Sequence, residues 1–84
     1  MNTSRSLIEV VAVLRSIARV HRTSNGERVG FFMSDAVGPL GGLAQASNSL
    51  ALLLAEGWVD SEPVFIGEDV HTFYRIADRI PTVH

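Results

Sequence analysis

Three histidines are the side chains of this chain best suited to acid–base chemistry or metal binding. His21, His71 and His84 lie far apart, and no two have the spacing of metal ligands on one element. Glu68 and Asp69 are adjacent on a predicted turn, a poor geometry for a general acid and its base. The chain has neither a serine nucleophile elbow nor a glycine-rich phosphate loop with its lysine. The sequence therefore predicts no catalytic residue, no cofactor and no metal site, and we expect that the protein is not an enzyme.

Arginine is the only strongly basic residue type, with seven arginines and no lysine. Arg15, Arg19 and Arg22 have the spacing of one helix face, and Arg28 follows beyond a turn. These four side chains are candidates for contacts with phosphate groups, which would position a nucleic acid without reading its sequence. The alternative is that they form the solvated face of a helix.

The first predicted element is a helix over residues 4–21. Ser4 or Ser6 can cap it, and Glu9 has capping-box spacing from Ser6. Its many β-branched residues lower intrinsic helix propensity, so we expect burial to stabilise it, centrally or at a subunit interface. Its predicted apolar stripe comprises Leu7, Val10, Val11, Leu14, Ile17 and Ala18.

A helix-turn-helix is predicted over residues 34–56. Its first helix is brief because Gly38-Pro39 must end or kink it. Residues 29–33, just before it, form an apolar run that is either a small strand or the start of that helix. The third helix of the chain spans about residues 43–56, with core-face spacing at Leu50, Leu53 and Leu54.

A strand hairpin is predicted over residues 58–76, after Gly57 ends the third helix in a left-handed conformation. Pro63 cannot donate a ladder hydrogen bond, so it belongs on a sheet edge or at a bulge. Arg75 is a further phosphate candidate on the returning strand, and its alternative is an ion pair with Glu62 across the hairpin. Residues 77–84 are predicted to be a tail.

The spacing Leu50-x-x-Leu53-x-x-x-Gly57-Trp58-Val59 resembles the end of the recognition helix in small bacterial winged-helix regulators. These include the MarR-like, ArsR-like and PadR-like families, in which a leucine pair precedes a glycine, an apolar residue and a valine. Tyr74-Arg75-Ile76 is similar to the aromatic-basic-apolar ending of their second wing strand. The resemblance covers residues 34–76 and does not select one family. It implies a winged helix-turn-helix fold and a DNA-binding function.

The resemblance also implies that base-reading residues lie in the first two turns of the third helix. Here the candidates are Gln45, Ser47 and Asn48, and the amides can each offer a donor and an acceptor to adenine. The alternative is that all three are solvated polar positions. DNA-binding members usually carry arginine or lysine in this helix, but this chain has neither from residue 30 to residue 74.

The predicted wing tip, Gly67-Glu68-Asp69, is acidic where a DNA-binding wing is normally basic. Two carboxylates facing phosphates would repel them. The tip is therefore a solvated turn, a surface directed at a basic protein, or a mimic of nucleic acid.

Length and composition indicate one globular domain over residues 1–84, with a formal charge of −2 and no cysteine. No apolar run is long enough to span a membrane, and the amino terminus does not read as a secretory signal, so we expect a cytoplasmic protein. The first helix together with Phe31, Phe32 and Met33 carries more apolar surface than so small a core needs, which favours a homodimer or a protein partner.

The sequence thus predicts an α+β winged helix-turn-helix domain with about three helices and a C-terminal two- or three-stranded wing. The first functional hypothesis is a small transcriptional regulator that binds duplex DNA, as a dimer. The alternative is a protein-interaction module, an adaptor or inhibitor, which does not bind DNA and acts through its apolar surface or its acidic wing.

Overall fold

Ser6 begins the first helix of the protein in the computed structural model, which describes residues 6–77. The Ser6 hydroxyl accepts a hydrogen bond from the Glu9 N–H, and the Glu9 carboxylate accepts one from the Ser6 N–H, each at 3.2 Å. This capping box confirms the predicted Ser6–Glu9 spacing, while Ser4 lies outside the described residues. Helix α1 spans Leu7–Ile17 and buries Val10, Val11 and Leu14.

The first helix ends at Ile17, so the predicted helix over residues 4–21 is wrong beyond that residue. Ala18 is extended, and the chain forms strand β1 (Arg19–Thr23), a turn, and strand β2 (Gly26–Phe32). Gly26 adopts a φ of +100°, which an L side chain rarely adopts, so the turn can close a hairpin. The β-branched residues of this segment then pair as strands, with Val20 opposite Val29.

The apolar run at residues 29–33 contributes to two elements. Its first part completes β2, where Phe31 pairs with Tyr74 and Phe32 with Phe73. Met33 then begins helix α2 (Met33–Val37), whose first turn is tied down by a 3.0 Å hydrogen bond from the Phe32 N–H to the Asp35 carboxylate. Both alternatives for this run are therefore correct in part.

Helix α3 spans Leu43–Glu56, the range that the sequence predicts. Gly57 ends it with a φ of +77° and donates its N–H to the last carbonyls of the helix, as predicted. The core face consists of Ala46, Leu50 and Leu53. The prediction that Leu54 belongs to this face is wrong, because its side chain is 37% exposed.

Strands β3 (Val59–Ile66) and β4 (Asp69–Ile76) form the C-terminal hairpin. The antiparallel sheet has the strand order β1-β2-β4-β3, so Pro63 lies on an edge strand, as expected. The predicted α+β class is confirmed. Within residues 6–77 the sheet has four strands, one more than the largest number predicted, because β1 forms where the first helix is predicted to continue.

Two groups of buried side chains lie on opposite sides of this sheet. On the helix side, Phe31, Val59 and Tyr74 pack with the buried residues of the three helices. The other side, here called the far side, carries the fully buried Phe73 and Val64. Because neighbouring strand residues point in opposite directions, Phe73 and Tyr74 bury their rings on different sides.

Candidate functional surfaces

The three predicted base-reading side chains are all exposed on α3, but they do not form one compact row. At 100° per residue, Gln45 and Ser47 lie about 160° apart around the helix axis, with Asn48 between them. Apolar residues occupy most of the remaining exposed face: Leu43, Ala44, Ala51, Leu52, Leu54 and Ala55. This surface is therefore largely uncharged and apolar, with three polar side chains spread across it.

The wing tip carries negative charge. Glu68 and Asp69 are exposed, and neither has an ion-pair partner within residues 6–77. No arginine or lysine lies on α2, α3 or β3. A duplex approaching α3 and the wing would therefore meet carboxylates and apolar side chains instead of cations.

The predicted helical row of Arg15, Arg19 and Arg22 does not exist, because only Arg15 is on α1. Arg19 and Arg22 lie on β1 three residues apart. Because side chains alternate along a strand, these two point to opposite faces of the hairpin. Arg22 is 3.4 Å from Glu27 in a highly exposed pair. Within residues 6–77, Arg15 and Arg19 have no acidic partner.

Glu62 on β3 connects three parts of the sheet. Its carboxylate lies 3.6 Å from the Nε of Arg28 on β2 and 3.6 Å from the Nε of Arg75 on β4. Both distances are those of ion pairs slightly too long for hydrogen bonds. The Glu62 side chain is only 17% exposed, so water screens it less than a surface carboxylate. Of the two alternatives for Arg75, the ion pair with Glu62 is therefore the one present.

The tip of the β1–β2 hairpin bends over the far side and contacts β3. The Asn25 side-chain amide donates to the Pro63 carbonyl at 3.0 Å and to the Glu62 carboxylate at 3.3 Å. The Ser24 hydroxyl accepts from the Phe65 N–H at 3.0 Å. These bonds occupy backbone groups on the outer edge of β3, which would otherwise be open.

An aromatic cluster fills the space beneath this hairpin. The His21 ring packs edge-to-face at 5.2 Å from the Phe32 centroid and 5.4 Å from the Phe73 centroid. His71 lies at its margin, 6.4 Å from Phe32. The His21 Nε2 atom is buried and has no hydrogen-bond partner in the described part of the chain. Sequence reasoning missed this cluster, although alternation along β3 and β4 does place Glu62, Val64, Phe73 and Arg75 on one face.

Two open grooves flank the helix layer. One, of about 430 Å³, lies between the end of α1 and the sheet and is lined by Arg15, Ala18, Val29, Ile76 and Ala77. The other, of about 520 Å³, lies between the start of α2 and the wing and is lined by Phe32, Met33, Ser34, Ile66, Val70, His71, Thr72 and Tyr74. The second groove, here called the wing groove, adjoins the acidic wing tip.

The described residues offer no cluster of three or more histidine, aspartate or glutamate side chains that could hold a metal ion. None of the helices within residues 6–77 is long and apolar enough to cross a membrane.

Comparison of the chain with protein-family models, curated proteins and solved structures finds no match. Its function must therefore be inferred from the surfaces described above.

Proposed function

We propose that this chain is a non-catalytic protein-interaction module built on a winged helix-turn-helix arrangement. The order of elements supports the arrangement: α2 and α3 are joined by a turn at residues 38–42, and the β3–β4 hairpin follows directly. Strand β2 pairs with β4, as the first strand of such a domain pairs with its wing. The β1–β2 hairpin is an addition to that pattern.

The distribution of charge is the observation that carries the proposal. The positions that would face a duplex are neutral on α3 and acidic at the wing tip. Arg28 and Arg75, two of the phosphate candidates, share the Glu62 carboxylate on the far side of the sheet. Because both are already paired with this carboxylate, contacts between them and DNA phosphates are disfavoured. Phosphate contacts supply most non-specific DNA affinity, so this scaffold has little means of holding a duplex.

Exposed apolar side chains at the wing are the second support for a protein partner. Phe65 and Val70 are cross-strand neighbours, and they are 59% and 60% exposed. Ile66, the next residue along β3, is 52% exposed on the opposite face of the hairpin. Apolar side chains clustered next to charged ones are typical of protein-binding surfaces.

The second candidate function is a dimeric DNA-binding transcriptional regulator. It is favoured by the exposure of Gln45, Ser47 and Asn48 on α3, since amide and hydroxyl groups can contact base edges. Arg15 and Arg19 would then be the cations most available for phosphate.

Fluorescence anisotropy with labelled random-sequence duplex DNA, at low and at moderate salt, separates the two functions. The interaction module is expected to leave the anisotropy unchanged even at low salt. Binding that weakens steeply as salt rises would overturn the proposal and support the regulator. In that case the Arg15→Ala/Arg19→Ala variant should bind more weakly than Arg22→Ala, whose arginine is already paired with Glu27.

A further inference from the structure

Strand β4 has an open edge next to the wing. Its pairing with β2 is limited to Phe73 and Tyr74, because the chain turns into α2 immediately after Phe32. Residues 69–72 pair with β3 on one side and with no strand on the other.

The alternation of backbone groups shows which residues face that open side. On β3 the Pro63 carbonyl and the Phe65 N–H point away from β4, because they bind the hairpin tip. The backbone N–H and C=O groups therefore point towards β4 at Glu62, Val64 and Ile66. The backbone groups of their partners on β4 point back towards β3. Val70 and Thr72, which lie between those partners, direct their N–H and C=O groups to the open side.

The pairing with β2 ends at Phe32 and Phe73, so within residues 6–77 no strand residue is paired with Val70 on that side, and the Thr72 N–H lies just beyond the last pair. Both residues are exposed and line the wing groove of about 520 Å³. The Val70 N–H and C=O groups and the Thr72 N–H thus stand in a row beside apolar side chains, which is the arrangement that an added strand requires.

Charge selects the kind of strand that fits. Glu68 and Asp69 adjoin the open edge, and no described cation pairs with them. An incoming strand that places a lysine or arginine beside these carboxylates would complement them, whereas an acidic strand would be repelled.

We propose that the open edge of β4 accepts an extended segment of a partner protein as an additional strand. The Val70 N–H and C=O groups and the Thr72 N–H pair with it, its apolar side chains enter the wing groove, and a cationic residue contacts the wing tip. This inference rests on the proposed protein-interaction function and specifies its binding site.

The probe is a phage-displayed library of random peptides, each long enough to form one strand, selected against the full chain. Enriched sequences are expected to alternate apolar residues and to carry lysine or arginine at one end. Selected peptides are then synthesised and titrated against the protein.

Thr72→Pro tests the pairing directly, because it removes an N–H that faces the open edge and leaves the bonds to β3 intact. We expect it to weaken peptide binding by about tenfold or more, whereas the matched variant Thr72→Val keeps the N–H and the affinity. Circular dichroism checks that Thr72→Pro is folded. The Glu68→Lys/Asp69→Lys variant gives a second test that leaves the Val70 and Thr72 N–H groups in place, and it should weaken binding of the cationic peptides about fivefold or more.

Peptides that bind wild type and a folded Thr72→Pro equally would overturn the edge proposal and leave the interaction function standing. Failure of the library to yield any binder would also overturn the edge proposal. Self-association of the wild type that Thr72→Pro abolishes, measured by sedimentation, would instead identify a second copy as the occupant. Salt-sensitive binding of duplex DNA would overturn the proposed function itself.

Discussion

Gly30 on β2 lies in close contact with two residues of β4. A Cβ atom at this position would be 2.9 Å from two carbons of the Phe73 ring and would overlap the Tyr74 carbonyl oxygen. Gly30→Ala is therefore expected to lower the free energy of unfolding by about 2–3 kcal/mol, because neither the ring nor the strand can move aside freely. Urea unfolding followed by circular dichroism measures this change.

Gly38→Ala is the matched control for that substitution. Gly38 has helical dihedral angles (φ −63°, ψ −56°), and apart from its chain neighbours a Cβ atom there would meet nothing within 4 Å. Alanine is expected to change the free energy of unfolding by less than about 1 kcal/mol, because its lower chain entropy in the unfolded state offsets the contact of its Cβ with the Pro39 ring. Equal losses of stability in the two variants would contradict the close packing assigned to Gly30.

The Glu62 carboxylate forms ion pairs with two arginines on the far side of the sheet. Glu62→Gln keeps its shape but leaves Arg28 and Arg75, both partly buried, without a counter-charge. We expect a loss of about 1–2 kcal/mol in the free energy of unfolding, between the values for exposed and for buried ion pairs. The measurement should use urea, since guanidinium would screen the charges.

Glu27→Gln removes a carboxylate of the same type from a pair that is far more exposed. Its effect on the free energy of unfolding should stay within about 0.5 kcal/mol. If Glu62→Gln changed the free energy of unfolding as little as Glu27→Gln, the ion pairs of Glu62 would not stabilise the fold.

The β1–β2 hairpin is the element that closes the far side. In the Ser24→Ala variant the Phe65 N–H loses its acceptor, and its hydrogen exchange is expected to accelerate about fivefold, the equivalent of one modest hydrogen bond. The Val64 amide faces β4 instead and serves as an internal control. Unchanged exchange at Phe65 would mean that the hairpin tip does not protect the edge of β3 in solution.

The elements that could be predicted from the sequence are those whose signals are local. The bounds of α3, its end at Gly57 and the capping box of α1 each depend on residues within one or two helical turns. The β1–β2 hairpin was missed because Arg19 and Arg22 have helical spacing from Arg15, and only pairing with residues 26–30 makes this segment a strand.

Across the whole molecule, the sequence indicates which surfaces lack positive charge, but it does not indicate which residues the arginine side chains contact. Their partners depend on the sheet order, which brings Arg28, Glu62 and Arg75 together from three strands. The apolar excess that favours a dimer is also partly used within the chain. Phe31 is buried on the helix side and Phe32 packs in the aromatic cluster of the far side.

The burial of Phe73 and Tyr74 on opposite sides of the sheet has a consequence for how this sequence can change over evolution. A strand packed on one side can slip by two residues and still present a similar face. In β4 a slip by two would replace Phe73 with a histidine or an arginine, and Tyr74 with a threonine or an isoleucine. We therefore expect relatives of this protein to vary the residues of the wing turn while keeping constant the number of residues between Gly67 and Phe73.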